Sequence, residues 1–397
     1  MSSLKLKGST SGDITITVPA QAGTNTVTIP AVTGTLPLSN LDHVTNRPNS
    51  KPIIINGDMA VSQRGTSVAS ITSSGYRAVD RHRIGVIGVG TWTFSQSTTV
   101  PTGQGFATSH KFDCTTANGS LGATAILTHQ TKLEGQDLQA FKKGTSNAEY
   151  MTLAFWVRSN KTGTYVVELY DDDNDRHISK TYTISSADTW EKKVLAFPGD
   201  TTGAFANDNG DSFHIRLHVA GGSNHTSGTL ATSWASFTAA NSMPGQTVNL
   251  ADSTSNEWYV TGIQLEVGEY DSTTIPPFQH ESFGDNLSRC QRYYQRWNGD
   301  SAYNTGMVGV YNDTTTLICI HTHIVPMRTA ATFSISAASD FDLEPFDAAP
   351  SQVSVFGTGN EYQQAIDATD TSARTKGFGG VICCDQTDGF FDFDAEL

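Results

Sequence analysis

The feature that most constrains this chain is a two-residue alternation that recurs along it. In Phe213-His-Ile-Arg-Leu-His-Val219 four apolar residues fall on one side, with His214, Arg216 and His218 on the other. An extended strand points successive side chains to opposite faces, so this pattern suits a half-buried strand and does not suit a helix. Met151, Leu153, Phe155 and Val157 repeat it, as do Tyr165, Val167 and Leu169, and then Tyr259, Ile263, Leu265 and Val267. Turn-rich spacers of roughly 8–20 residues separate the segments, which argues against βαβ units. The pattern predicts an all-β fold built on an antiparallel jelly-roll β-sandwich. One helix interrupts it. Ser282 and Asp285 have capping-box spacing, and Leu287, Cys290, Tyr294 and Trp297 follow at helical intervals.

Charge divides the chain. From Asn298 to Leu397 there are 14 acidic and 3 basic residues, a net of −11, which leaves −3 for everything before. A step of that size marks a domain boundary. At the other end, Ile14–Pro19 is echoed by Thr26–Pro30, each unit alternating Thr with β-branched residues and stopping at Pro. Forty residues of this kind cannot build a core alone and need other copies or a larger partner to complete them. Asn46–Ser50 reads as a linker. The expected organisation is an N-terminal β-rich docking or stem segment (1–47), a sandwich (48–280), a connecting helix (281–297) and a smaller, acidic C-terminal β domain (298–397).

Composition excludes several functions. A net charge of −14 over 397 residues speaks against nucleic acid as a partner. No run approaches the roughly 20 apolar residues of a membrane span, and the first thirty residues lack the apolar core of a signal peptide. Five cysteines without paired spacing read as free thiols in a reducing compartment. No nucleophile elbow, phosphate loop, HExxH or zinc spacing occurs, and the many carboxylates single out no glycosidase pair. The expectation is a protein that is not an enzyme. Asp171, Asp173 and Asp175 alternate between two strand-like runs and offer hard oxygen ligands for Ca²⁺. The EF-hand pattern nevertheless fails at Arg176 and Tyr182, so a solvated hairpin turn is the competing reading.

Several stretches resemble a known family. Ile54-Ile-Asn-Gly-Asp-Met-Ala-Val-Ser-Gln-Arg-Gly65, Tyr76-Arg-Ala-Val-Asp-Arg81, Val260-Thr-Gly-Ile-Gln-Leu-Glu-Val-Gly268, Pro277-Phe278, Ser282-Phe-Gly284, Cys290-Gln-Arg-Tyr-Tyr294 and Val325-Pro-Met-Arg328 are similar to segments of phage tail fibre and receptor-binding appendage proteins, as is Thr33-Gly-Thr-Leu36. His82 stands where that family usually has an aromatic residue, and His280 where it usually has Arg. The resemblance implies a sandwich like those of carbohydrate-binding modules and a homotrimer assembled in the host cytoplasm. It also implies a place on the virion, docking on other tail or fibre proteins through the N-terminal segment, and recognition of a host-surface glycan. It implies that shared positions such as Asp80-Arg81 are structural, an ion pair at a strand start. An architectural head-fibre or collar component and a glycan-degrading tailspike are the alternatives; the second usually carries parallel β-helix repeats, which are not evident in this sequence.

Two sets of candidate contacts follow. Sugar recognition needs an aromatic platform and multidentate polar groups. Trp156, Arg158, Tyr170, His214, Arg216, His218 and Trp258 fall on the faces expected to point away from the core. In a threefold fibre, His321 and His323 would bring six imidazoles toward the axis, enough for one transition metal, as some phage fibres do. The pattern around them places Ile318, Ile320 and Ile324 on the opposite face, and Phe391, Phe393, Ala395 and Leu397 inward at the C-terminus. Three copies of a −11 domain would be repelled by anionic lipopolysaccharide unless cations, high salt or a basic partner intervene.

Overall fold

The computed structural model describes residues 51–298, 306–384, 386 and 388–397, and the backbone of two short strands near the N-terminus. Met1–Asn46 and Arg47–Leu397 are separate compact units. In the first, β1 (Ser3–Lys7) pairs antiparallel with β2 (Asp13–Thr17), with Leu4 opposite Ile16. The second Thr-rich repeat and the Asn46–Ser50 linker lie outside the described residues.

The larger unit begins as a sandwich of thirteen strands in the order β3 (Ser67–Ile71), β4 (Gly75–Tyr76), β5 (His82–Ile87), β6 (Thr91–Ser97), β7 (Ser109–Thr116), β8 (Ile126–Glu134), β9 (Met151–Ser159), β10 (Gly163–Asp171), β11 (Arg176–Ile184), β12 (Glu191–Phe197), β13 (Asp211–Gly221), β14 (Ala235–Ser236) and β15 (Glu257–Val267). One sheet runs β14-β11-β10-β13-β8-β5-β4 and the other β12-β9-β15-β7-β6-β3. Every pairing within them is antiparallel, as the alternation requires. The inner faces meet in one core, with Leu153, Phe155 and Val157 of β9 against Val167 and Leu169 of β10 and Ile215 and Leu217 of β13. Burial of this area from both sheets is the main drive to the fold.

Three imidazoles sit inside that core. His82 stacks on His129 at 4.8 Å, and His110 meets His129 edge-on at 5.4 Å, among Phe94, Phe112 and Trp258. His82 is held by Thr131 Oγ1 and the Asn56 carbonyl. Burial lowers the His82 pKa to about 4 and those of His110 and His129 well below the ordinary value.

The connecting helix spans Phe283–Gln291, with Ser282 Oγ accepting from the Asp285 amide as the capping box requires. It ends sooner than expected. Tyr294 and Trp297 belong to a strand, β16 (Tyr294–Asn298), because pairing with the C-terminal strand gives these residues a ladder that a longer helix would forfeit. Leu287, Cys290 and Tyr293 pack on Ile55 and Val61. Asn56 is the hub beneath: its amide donates to Asn286 Oδ1, and its side chain donates to the Val61 and Asp80 carbonyls.

The last part is a second, smaller sandwich. Its strands are β16, β17 (Gly306–Tyr311), β18 (Thr316–Thr322), β19 (Thr332–Ile335), β20 (Phe341–Glu344), β21 (Gln352–Val355), β22 (Gln363–Thr369), β23 (Gly379–Cys384) and β24 (Phe390–Asp394). A three-stranded sheet, β16-β24-β19, faces a six-stranded sheet, β20-β23-β17-β18-β22-β21. Phe391, Phe393 and Ala395 point inward as the C-terminal alternation predicts, against Leu317, Leu343, Ile366 and Ile382.

Strand β18 turns into the core the histidine face that the metal reading placed at a threefold axis. Leu317, Cys319 and His321 face the core, whereas Ile320 is 61% and Ile324, just beyond the strand, 58% exposed. On the same outer face Val308 is 76% exposed, and Val310 stands beside Ile318 in register. The reason lies on the opposite sheet, where Phe393 offers a flat ring on which His321 stacks at 4.1 Å and 9°. A planar imidazole fills that slot better than a branched Ile.

The acidic C-terminal stretch is also not a bare surface. Arg81 pairs with Glu396; Arg64 reaches Asp394, Glu396 and Asp80; Arg296 grips Asp392 with both nitrogens; and Arg328 donates to the Ala395 and Glu396 carbonyls. Asp80 and Arg81 therefore do not pair with each other, as expected from the sequence, but with Arg64 and Glu396. Of the motif residues, Arg64, Asp80, Arg81, Tyr293, Tyr294 and Arg328 meet here, where the two sandwiches join.

Candidate functional site

A concavity lies on the outer face of the six-stranded sheet of the larger sandwich. Its origin is a β-bulge in β15, where pairing with β9 slips between Thr261 and Gln264. Gly262 sits there at φ +62°, and a Cβ at that position would lie 2.5 Å from the Phe106 ring. Only glycine accommodates both constraints. Phe106 closes on the bulge and meets Phe278 edge-on at 5.1 Å, while His280 lies 5.3 Å and 4.9 Å from the two rings. The chain after β15 folds back over the sheet here, pinned by Gln264 Nε2 donating to the Pro276 carbonyl at 3.0 Å.

These elements enclose a cavity of about 430 Å³. Half-buried Trp156 forms one wall, opposite Lys192 on β12 and Thr261 on β15 in register. Phe106 and Phe278 form the other, and Gln104, Lys192, Gln264 and His280 supply polar groups. Partial burial lowers the Lys192 pKa, and no carboxylate of the described residues lies within ion-pair reach of it. Flat apolar walls with a few separated donors can take a molecule with one apolar face and several hydroxyls. Of the residues lining this cavity, the sequence pattern had singled out only Trp156 as a contact.

The other expected sugar contacts lie elsewhere. Trp258 is fully buried, 5.1 Å from Phe112 and 6.0 Å from His129. The bulge explains the misplacement, because it inserts a residue and reverses the parity of β15. Before it Trp258 and Val260 face the core; after it Ile263, Leu265 and Val267 do. Arg158 shares the outer face with Trp156 but is bound to Asp188 and packs over Tyr259 at 5.0 Å.

Tyr170, His214, Arg216 and His218 do lie on the outer face of the seven-stranded sheet, but they are tied into a closed network. Its centre is Glu168, fully buried, with His177 Nδ1 at 2.8 Å, Arg216 Nη1 at 3.0 Å and His218 Nε2 at 3.4 Å. Burial alone would raise the Glu168 pKa, yet the His177 and His218 hydrogen bonds and the Arg216 charge hold it well below the ordinary value. Arg216 lies over Tyr170 at 4.1 Å, His214 bonds Asp211, and Phe237 packs on Tyr170 and His177. The network links β10, β11 and β13 around one carboxylate, while Arg216 Nε, His177 Nε2 and His218 Nδ1 are left without hydrogen-bond partners.

The aspartates at the β10–β11 turn do not form a cation cage. Asp173 accepts from the Ala206 amide, Asp175 from the Tyr170 hydroxyl, and Asp171 is buried against Lys143 at 2.5 Å. Lys143 also lies 3.3 Å from Asp200 and donates to the Thr202 and Gly203 carbonyls at 2.9 and 2.7 Å. The chain's own Lys143 ammonium, flanked by the Phe205 and Trp234 rings, thus takes up the Asp171 carboxylate, and Arg176 holds both oxygens of Asp200. His321 and His323 face inward onto Phe393, at 4.1 and 5.1 Å, and burial lowers both pKa values, that of His321 to about 4. They do not present an open pair of ligands. Among the described residues, Asp172, Asp211 and His214 bring ligand atoms within 4.8 Å of one another, but Asp211 already pairs with Lys132 and His214.

No protein-family model and no curated protein matches the chain. Among solved structures, the enzymatically active domain of tailspike protein 4 from bacteriophage CBA120 aligns over 54% of this chain and 21% of that one, at 12% identity and a TM-score of 0.29. The chain therefore matches about a fifth of that tailspike's length. TmCBM61 in complex with β-1,4-galactotriose aligns over 55% of this chain and 99% of that one, at 8% identity and a TM-score of 0.27. The family 11 carbohydrate-binding module of the cellulase Lic26A-Cel5E of Clostridium thermocellum gives 55%, 96%, 9% and 0.26. At these identities and scores the likenesses carry nothing about ligand or activity.

Proposed function

We propose that this chain is a structural virion protein, a tail fibre or appendage of a tailed phage, that recognises host-surface glycan without cleaving it. The observation that carries the glycan reading is the cavity of about 430 Å³ walled by Trp156, Phe106 and Phe278 and set with Lys192, Gln264 and His280. The phage reading is supported by the motif resemblance in the sequence. A trimer is supported by the outer face of the smaller sandwich: a monomer in water gains nothing from Val308 and Ile320 at 76% and 61% exposure, whereas copies packed on that face would cover them. Many shallow grooves acting together give avidity that one groove lacks.

The test is incubation of the purified protein with polysaccharide from a host that the virion infects, followed by chain-length analysis and pull-down. Bound, intact chains are the expected result. Shortened chains would replace this reading with a tailspike enzyme, and unbound intact chains would leave an architectural component without receptor contact.

A further inference from the structure

A second concavity lies where the two sandwiches meet. It has a volume of about 400 Å³ and is lined by Arg64, Tyr76 and Arg77 from the larger sandwich and by Arg296, Ser334, Asp392 and Asp394 from the smaller one. Two of its three guanidinium groups are committed. Arg64 reaches Asp80, Asp394 and Glu396, and Arg296 holds both oxygens of Asp392. Arg77 is different. Its Nη1 donates to the Tyr76 carbonyl at 3.0 Å, and no carboxylate of the described residues lies within ion-pair reach.

The surroundings leave Arg77 short of negative charge. Burial first, and then the positive charges of Arg64 and Arg83, lower its pKa. Arg83 stands opposite Tyr76 in the β4–β5 register and is bonded to Gln130, a neutral partner. In a chain of net charge −14, a half-buried guanidinium that faces a cavity without a counter-ion is unusual. The lining also holds Ser334 and the Asp394 carboxylate, which accepts from Arg64 and the Glu396 amide yet stays 43% exposed, with lone pairs open to hydroxyls.

We infer that this junction cavity is a binding site for an acidic saccharide unit, its carboxylate taken by Arg77 and its hydroxyls by Asp394 and Ser334. A planar carboxylate matches the guanidinium fork with two parallel hydrogen bonds. Phosphate lacks the row of hydroxyls that Asp394 and Ser334 would bind, and a neutral sugar would leave Arg77 unpaired. The site is separate from the Trp156 cavity and does not depend on it.

The experiment titrates the full chain with sodium glucuronate, glucose and inorganic phosphate at low ionic strength, followed by NMR or calorimetry. It compares the native protein with Arg77→Gln, Arg77→Lys and Trp156→Ala. Glucuronate is expected to bind about tenfold or more tighter than glucose or phosphate. Arg77→Gln should abolish that preference, and Arg77→Lys, which keeps the charge but loses the fork, should restore only part of it. Trp156→Ala should leave it unchanged. Equal affinity for phosphate, or glucuronate binding that survives Arg77→Gln in a protein with an unchanged melting temperature, would overturn the assignment. If Arg77→Gln fails to fold, native-like glucuronate affinity in Arg77→Lys would do so. Loss of binding on Trp156→Ala alone would place glucuronate in the other cavity and overturn this site while leaving the glycan reading intact.

Discussion

Strands β13 and β18 carry nearly the same alternation and face opposite ways. In β13, Phe213, Ile215, Leu217 and Val219 enter the core, and His214, Arg216 and His218 look outward into a network around Glu168. In β18 it is Cys319 and His321 that enter, followed beyond the strand by His323, while Ile318, Ile320 and Ile324 look outward. Period two tells which residues share a face, not which face is buried. The opposing layer decides that. Across from β13 is an aliphatic and aromatic sheet that accepts branched side chains; across from β18 is Phe393, which accepts a ring. The larger sandwich thus ends its outer face in closed ion pairs, and the smaller one leaves an apolar face uncovered.

Acid should separate the two regions most strongly. Unfolded imidazoles take up protons near pH 6.5, whereas His82 and His321 hold out to about pH 4 and burial also holds His110 and His129 well below the ordinary value. Because the folded state binds fewer protons, stability is fully present above about pH 7 and is lost as pH falls through 6.5 toward 4, by at most about 1.4 kcal/mol per pH unit for each such histidine. With three core imidazoles against two, the larger sandwich is expected to lose more. Hydrogen exchange resolved by region, from pH 7 to pH 5, checks this. Equal protection at both pH values would break the comparison.

Next in size is Lys143→Met, which leaves Asp171 without its buried cation while Asp200 keeps Arg176. A loss of about 3–5 kcal/mol is expected in denaturant melts, with partial recovery on adding millimolar Ca²⁺, since the emptied cage is lined by oxygens. A melt unchanged by the substitution would mean that the ammonium is not holding the cage together. Ile215→Ala should then cost about 3–4 kcal/mol, because Ile215 is fully buried. Ile320→Ala, at the outward position of β18, should change monomer stability by less than about 0.5 kcal/mol and should weaken self-association. If Ile320→Ala cost as much as Ile215→Ala, β18 would face the other way and the comparison would collapse.

Much of the architecture was legible. The alternation of β9, β10 and β13, the capping box at Ser282 and the inward Phe391 and Phe393 all follow from local pattern, and local pattern is what strands and helix starts obey. The sites were not legible in the same way. The Trp156 cavity joins residues from Gln104 to His280 through one bulge, and a bulge is a pairing slip with no periodic signature beyond a glycine. The same slip turned Trp258 inward. Lys143 beside Asp171 and Phe393 beneath His321 are partners from distant sequence, so the sequence could show neither the buried ammonium nor the ring that draws the two histidines inward. Thr26–Pro30 lies outside the described residues, and its completion by neighbouring molecules rests on the sequence alone.

The most direct test of the whole account is the affinity of purified Trp156→Ala for intact host polysaccharide, measured beside the native chain and with melting temperatures matched. Trp156 is only half buried and lines the cavity without supporting the core, so folding should be retained and binding should weaken about tenfold or more. Undiminished binding by the folded variant would contradict the claim that this cavity is where the protein meets its glycan.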